Sequence, residues 1–487
     1  MNRRMIAFVI GRLLVVEAGF LMLPLSVALL YQESMTYVTS FLWTILITGS
    51  IGFALSHKQP KMMLRAREGA VIVALGWILL SFFGALPFVF SGDIPHIVDA
   101  FFETSSGFTT TGSSILSSVD TLVHSTLFWR SFTHLVGGMG VLAFTLAILP
   151  SQSDSAHLLR AEVPGPTFGK IVSKVSESVR ILYIIYLVFT AIFTMILVVF
   201  GGVPIFDATL LAFGTAGTGG FAIRGAGFAM YGNPVFVEYA IAIGMLVFGV
   251  NFNLYYYILI KHIKAVFHDE ELRWYIGIVA ASVIAIMWSL SPASHHFEQT
   301  FREVLFTVAS IVTTTGYATA DFNQWNLFAK TIILLLMFVG ACAGSTAGGI
   351  KVSRVVMYMK SAVVEVFKTG HPHRVMSPSF NGKRITDKDS QRIANYLLVY
   401  ILCFIVVLLS VSIEADSFTT AFSSVSTTFN NIGPGLDAVG PTQNFAFYSD
   451  WNKLVLSLSM IAGRLEILPM FVLFAPSTIK KMLAIKK

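Results

Sequence analysis

Ten apolar stretches long enough to cross a bilayer dominate this sequence, and four shorter ones stand among them in a fixed order. A crossing helix needs about 20 apolar residues. The long stretches are 5–30, 38–56, 69–91, 122–149, 181–201, 234–260, 274–291, 327–341, 393–413 and 451–475. The eighth is short and breaks at a glycine cluster. The short ones, 97–108, 205–215, 300–312 and 418–429, are half-length. A helix of a dozen residues reaches about 18 Å, roughly half of a membrane. Each short run leads into a polar, glycine-bearing segment: Thr109-Thr110-Thr111-Gly112, Ala216-Gly217-Thr218-Gly219, Thr313-Thr314-Thr315-Gly316 and Asn430-Asn431-Ile432-Gly433. From residue 69 the order is long helix, half-helix, loop, long helix, four times over. Residues 1–56 form an extra helix pair outside it. A unit repeated four times in one chain can surround an axis. The expected fold is an all-α polytopic membrane protein. Its four tandem repeats of helix, pore half-helix, filter loop and helix surround one pore: 69–150, 151–262, 263–372 and 373–487, after an N-terminal extension at 1–68.

Charge is scarce and unevenly placed. Asp, Glu, Lys and Arg make up 12% of the 487 residues, against about 25% in soluble domains. With the amino terminus inside, 27 of the 33 Lys and Arg fall on the inner side, in 1–12, 57–68, 150–180, 261–273, 351–392 and the last residues. This bias places both termini in the cytoplasm and all four Thr/Gly loops near the outer face. The net charge of +7 is therefore a topology signal with some attraction to anionic lipid, and no nucleic-acid partner is needed to explain it. The two cysteines, Cys342 and Cys403, offer neither CxxC spacing nor a disulfide framework. No P-loop occurs, and no HExxH metal set or clustered nucleophile and base argues for an intramembrane enzyme.

The loops carry the chemistry. A dehydrated cation needs oxygen ligands, and backbone carbonyls provide them without net charge. Glycine allows the backbone angles that turn carbonyls toward an axis. Irregular backbone at membrane depth is tolerated where it is buried or lines a water-filled path. Each half-helix also points its partly negative carboxyl end at a loop, which favours a cation there. A single Thr/Gly loop could equally be helix-packing material; four in phase after four half-helices favour a cation pore. The first helix of each repeat (69–91, 181–201, 274–291, 393–413) lacks Asp, Glu, Lys, Arg and His, and is expected to face lipid. The second helices carry Arg130, His134, Glu238, Asn251, Asn253, Lys330, Arg464 and Glu466, and are expected to line the pore.

These loops, together with Gly340-Ala341-Cys342-Ala343-Gly344-Ser345-Thr346-Ala347-Gly348-Gly349, resemble the Trk/Ktr/HKT superfamily of potassium transporters along essentially the whole chain. The extra pair at 1–56 resembles the bacterial TrkH/TrkG branch more than the shorter KtrB branch. The resemblance implies filter glycines at Gly112, Gly219, Gly316 and Gly433. A Ser at the first of these marks sodium-selective plant members, so four glycines imply potassium selectivity. The implied K+ ligands are Thr111, Gly112, Thr218, Gly219, Thr315, Gly316, Ile432 and Gly433, within a filter that also takes in Thr110, Gly220, Thr314 and Asn431. The resemblance further implies a homodimer with one pore per subunit in a bacterial inner membrane. It also implies a cytosolic TrkA-type regulatory partner that carries the nucleotide-binding domains; this chain itself has no covalent cofactor.

Two gate candidates follow. Gly344, Ser345, Thr346, Ala347, Gly348 and Gly349 interrupt the second helix of repeat three. They read either as a flexible loop obstructing the pore or as a close-packed helix crossing. Lys351 follows too soon for deep burial of this run. Arg464 stands mid-way along the last span, where a buried cation costs at least about 2.5–3.5 kcal/mol. It reads either as a gate residue bonding the loop carbonyls or as half of an ion pair, with Glu466 a poorly oriented partner. His134 is expected to be a satisfied interior histidine rather than a metal ligand. Asp99 and Glu103 either concentrate cations at the outer mouth or anchor the first half-helix. Arg12 is expected to snorkel to the cytoplasmic surface. No reading of Glu17 follows from the sequence. An alternative function within transport is a sodium- or proton-coupled potassium symporter, for which Glu17, Glu238 and Glu466 are the only acids within the spans.

Overall fold

The computed structural model describes residues 1–58, 65–140, 175–290, 296–371 and 376–483. The end of the fourth expected span and most of 150–180 lie outside the described residues. The chain opens with a helical hairpin, α1 (Arg3–Leu30) and α2 (Met35–Ser56). Two glycines set its crossing: a Cβ on Gly11 would stand 2.7 Å from the Gly52 carbonyl oxygen, and one on Gly52 would stand 2.9 Å from that of Gly11. Small residues at such a contact let the two backbones touch.

The order long helix, half-helix, helix then recurs four times. It runs through α3 (Ala66–Ser91), α4 (Ile97–Phe108) and α5 (His124–Gly138), then α6 (Val175–Val199), α7 (Ile205–Gly217) and α8 (Pro234–Phe248). After the short α9 (Phe252–Leu259) and α10 (Ile263–His268) come α11 (Glu270–Leu290), α12 (Phe297–Val312) and α13 (Leu327–Val339). Helix α14 (Val352–Gly370) and a two-stranded hairpin, Ser379–Phe380 with Lys383–Arg384, precede α15 (Asp387–Val411), α16 (Phe418–Phe429) and α17 (Asp450–Arg464). The chain closes with α18 (Leu468–Phe474) and α19 (Pro476–Leu483). Local chemistry sets several starts. Asn326 accepts from the Ala329 amide, Ser417 from that of Thr420, and Asn233 from that of Phe236 ahead of Pro234 at the first helical turn.

Two sequence expectations change here. First, the second helix of each repeat stops or bends part-way. Helix α5 stops at Gly138, and α8 and α9 meet at 89°. Residues 340–351 separate α13 from α14, and 465–467 separate α17 from α18. Among the described residues six helices are long and apolar enough to cross a membrane, with the bent α8–α9 pair a seventh. The expected spans 327–341 and 451–475 are present as shorter helices, because the breaks at 340–351 and 465–467 interrupt them. Second, the first helices are not equally exposed. The apolar window of α3 is 72% buried, against 39%, 28% and 17% for those of α6, α11 and α15. Helix α3 is mostly enclosed because α1, α2 and α18 all pack on it, so, although Phe82 and Phe90 remain exposed, most of its surface meets protein rather than lipid. Arg12, by contrast, is exposed, with its guanidinium over the Phe8 ring.

Because the α1–α2 crossing has no space for a side chain, Gly52→Val should destabilise the hairpin by about 1–3 kcal/mol. The expected readout is a lower unfolding temperature of the purified protein in detergent; an unchanged temperature would refute the close-crossing account.

Candidate functional site: the glycine ring and the broken helices

The four half-helices end alike. The amides of Thr110 and Thr111 donate back to the carbonyls of Gly107 and Ser106, at 3.1 and 2.8 Å. The same pair of bonds is made by Thr218 and Gly219, by Thr314 and Thr315, and by Asn431 and Ile432. This is the Schellman termination, which requires a left-handed residue after the helix. That residue is normally glycine; here it is Thr110, Thr218, Thr314 or Asn431, with φ of 54°, 55°, 55° and 57°. A β-branched residue in this region is unusual and costs about 1–2 kcal/mol. Two residues later the backbone is again at positive φ, at Gly112, Gly220, Gly316 and Gly433. The register of repeat two is thus one residue later than its sequence motif suggested. Gly220, not Gly219, matches Gly112, and Gly219 matches Thr111.

The four loops meet in cyclic order. A Cβ on Gly112 would lie 2.3 Å from the Gly219 carbonyl oxygen, and one on Gly220 1.9 Å from that of Thr315. One on Gly316 would lie 2.0 Å from the Ile432 oxygen, and one on Gly433 2.9 Å from that of Thr111. The ring closes, and a side chain at any of the four positions would enter it. The carbonyls of Thr111, Gly219, Thr315 and Ile432 accept no hydrogen bond from the described residues. Over the ring opens a cavity of about 310 Å³ lined by Gly112, Gly220, Gly316 and Gly433.

Behind the ring, polar groups are paired. Arg130 Nε donates to Glu103 at 2.6 Å and Nη1 to the Ala222 carbonyl at 2.7 Å, while its guanidinium lies 3.6 Å from the Phe221 ring centre. Glu103 also accepts from the Ile115 amide and the Ser114 hydroxyl. Asp99 pairs with Lys453 at 2.6 Å. Both acids therefore anchor the first half-helix to its neighbours. His134 has both ring nitrogens engaged, with the Gly107 carbonyl at 2.8 Å and the Phe221 amide at 3.3 Å. It is the interior histidine the sequence suggested. Glu238 pairs with Arg302, and Lys330 donates to the Asn323 carbonyl; these bonds do not place either residue at the ring. Glu17 is fully buried, with neither carboxylate oxygen bonded among the described residues. Its carboxylate lies against Gly84 of α3, whose other neighbours are Thr104 and Phe108 of the first half-helix.

On the opposite side of the ring from the cavity lies the break between α13 and α14. The Gly348 amide donates to Thr314 Oγ1 at 2.6 Å, and a Cβ on Gly348 would stand 2.5 Å from the Asn430 carbonyl oxygen. Arg464 Nη1 donates to the Thr346 carbonyl at 2.7 Å, and Nη2 to those of Gly137 and Gly138 at 2.7 and 2.6 Å. One guanidinium thus joins the ends of α5 and α17 to the intervening loop. Gly344 sits against Asn251 at the α8–α9 bend. Lys351 is buried after all, because its ammonium donates to the Ala347 carbonyl of the same loop. Glu466 pairs with Arg354 rather than with Arg464. Sequence reasoning missed Glu271, whose Oε1 accepts from the Ala343 and Ser353 amides at 2.7 and 3.1 Å and pins both ends of the break. No local motif marks it; its role depends on residues 72 and 82 positions away.

Residues 33–481 match the family model of TrkH, cation transport protein. The chain belongs to the TrkH family. It is 34% identical to the Trk system potassium uptake protein TrkH of Salmonella typhimurium strain LT2, over 98% of this chain and 99% of that one. It is 30% identical to the Trk system potassium uptake protein TrkG of Escherichia coli K12, over 93% of each. The crystal structure of the potassium transporter TrkH from Vibrio parahaemolyticus superposes with a TM-score of 0.87 at 29% identity, covering 98% of this chain and all of that one. The family is one of transporters, not enzymes, and its apolar helices make the chain an integral membrane protein.

The Arg130–Glu103 pair is nearly solvent-free, with side chains 2% and 0% exposed. Removing one partner strands the other, so Glu103→Ala should cost about 3–5 kcal/mol. The expected result is a strongly lowered unfolding temperature, partly restored by adding Arg130→Met. A single variant as stable as the parent would overturn the anchoring role.

Proposed function

We propose that this chain is the potassium-translocating subunit of a Trk-type uptake system. K+ is the substrate, passed in single file through the glycine ring. The observation that carries this reading is the closed ring itself, with four loops whose carbonyls of Thr111, Gly219, Thr315 and Ile432 have no donor among the described residues. Such oxygens can replace the hydration shell of a cation. The half-helix ends beside them favour positive charge. In this reading the four repeats keep the boundaries 69–150, 151–262, 263–372 and 373–487. The ring faces the periplasm of a bacterial inner membrane, with both termini cytoplasmic, as the distribution of Lys and Arg supports.

The gate of this reading is the loop from Gly344 to Gly349, held by Arg464. The guanidinium bond to the Thr346 carbonyl supports it, because a cation fixed behind the ring repels K+ and keeps the loop in the path. A TrkA-type cytosolic partner with nucleotide-binding domains would control this loop, and two copies of the chain would form the homodimer. One observation favours the coupled alternative: Glu17 is a buried carboxyl without a partner among the described residues, beside the first half-helix. A proton or sodium ion held there would make the protein a symporter. Reversal potentials that track the potassium gradient alone would exclude this.

Rubidium flux into liposomes containing the purified protein, with sodium competing, tests the main reading. Potassium and rubidium should be preferred over sodium, and equal competition by sodium would reject the selectivity. Gly316→Ser, which places a side chain in the ring, should weaken that preference several-fold. Arg464→Ala should raise flux measured without the regulator; unchanged or lost flux in well-folded protein would remove Arg464 from the gate.

A further inference from the structure

On the face that carries residues 351–392, a cavity of about 750 Å³ opens between the start of α14, the start of α15, the Ser379–Arg384 hairpin and the α17–α18 break. Its size suits a small molecule or a lipid headgroup. Arg354 forms part of its wall. The guanidinium is buried, with 9% of its side chain exposed; Nη2 donates to Glu466 at 2.6 Å, and one face covers the Tyr396 ring at 4.3 Å. Nη1 has no partner among the described residues, and neither do Ser353 Oγ and Glu466 Oε1 beside it. A buried guanidinium donor left open is costly unless something completes it.

The charges lining the cavity are equal in number but unequal in commitment. Glu271 is held by two amides, Asp269 by the Leu272 amide and Asn381, and Asp389 by Thr386. Glu466 spends one oxygen on Arg354. The side chains of Lys383 and Arg384 have no bond or ion pair with the described residues, and Arg392 lies 3.9 Å from Asp389 with its side chain mostly exposed. The free hydrogen-bonding capacity is therefore mainly cationic donors around one deep, oriented guanidinium. Guanidinium forks suit the several acceptor oxygens of phosphate better than they suit a metal ion or a neutral ligand.

We propose that this cavity binds a phosphate group, carried either by a soluble molecule or by a lipid headgroup, and that binding competes with Glu466 for Arg354. The consequence for transport rests on the gate reading above. Glu466 and Ile467 are non-glycine residues at φ of 55° and 67°, a strained break that the Arg354–Glu466 bond helps to hold. Glu466 follows Arg464 by two residues. Arg354 follows the loop by only a few, and Ser353 shares Glu271 with Ala343. A phosphate drawing Arg354 away from Glu466 loosens both sides of the Arg464–Thr346 contact and raises flux.

The test uses the full chain in maltoside micelles, which contain no phosphate. Inorganic pyrophosphate is titrated by calorimetry, and retained phosphatidylglycerol is measured by native mass spectrometry. Saturable binding of either probe supports the site: pyrophosphate alone indicates a soluble source, and phosphatidylglycerol alone a lipid one. Arg384→Glu, at the exposed rim, and Arg354→Gln should each weaken binding at least tenfold. Glu466→Gln, which frees Arg354, should tighten it, an effect that mere damage to the fold would not produce. Binding of neither probe, or binding indifferent to all three substitutions, overturns the site. Rubidium flux with and without the bound probe then reads the coupling. Binding that follows the substitutions without altering flux would overturn the competition for the gate, whereas absence of any rubidium flux would instead count against the transport reading.

Discussion

Carbonyl oxygens turned toward an axis at membrane depth are acceptors with no donor, and each such group costs about 1–3 kcal/mol when left dry. Around the four of them most backbone groups are paired, while the hydroxyls of Ser105, Ser106 and Thr110 and the Asn431 side-chain oxygen have no partner among the described residues. The Schellman ends take up the amides that lead into each loop. Arg130 occupies the Ala222 carbonyl, His134 the Gly107 carbonyl, and Asn431 bridges Thr111 and the Met460 carbonyl at 3.0 and 2.9 Å. Close approach of the second helices seals the arrangement. A Cβ on Gly137 would stand 1.8 Å from the Phe108 carbonyl oxygen, and one on Gly463 2.0 Å from that of Phe429. The ring is therefore less a local motif than a product of how the surrounding helix ends and loops pack and pair.

The same accounting explains the far side of the ring. Helix breaks expose carbonyls that the membrane cannot solvate. Arg464 answers three of them at once, from repeats one and three. A cation costly in hydrocarbon becomes tolerable where three helix-end and loop carbonyls converge on it. Its position couples one loop to elements 326 residues apart in the chain.

Much of the architecture was legible. Apolar runs gave the helices, and Ile97–Phe108 and Phe418–Phe429 fall where the sequence placed them. The ring was legible through its repeated glycines. What was not legible has physical reasons. Gly219 and Gly220 are both glycine, so only the backbone angles decide which one occupies the crowded position. The bends at Gly249–Asn251 and Leu465–Ile467 lie within apolar stretches that read as continuous helix. The enclosure of α3 depends on the N-terminal hairpin folding over it, which no pattern within α3 reveals. Glu271 and Arg354 acquire their partners through distant segments, whereas Lys351 folds back on its own loop.

The register of repeat two has one more consequence. In repeats one and three, hydroxyl pairs Thr109–Thr111 and Thr313–Thr315 brace the loops from within at 2.7 Å. Repeat two has Gly219 at the matching place. The vacated volume is filled from outside by the His134 ring, whose Cγ would stand 2.1 Å from a Cβ there. One quadrant of the ring is thus propped by a side chain borrowed from its neighbour. Its stiffness depends on how α5 is seated, and α5 ends at the two carbonyls that Arg464 grips. The stiffness of the ring and the seating of the Gly344–Gly349 loop are, in this quadrant, settings of a single lever arm.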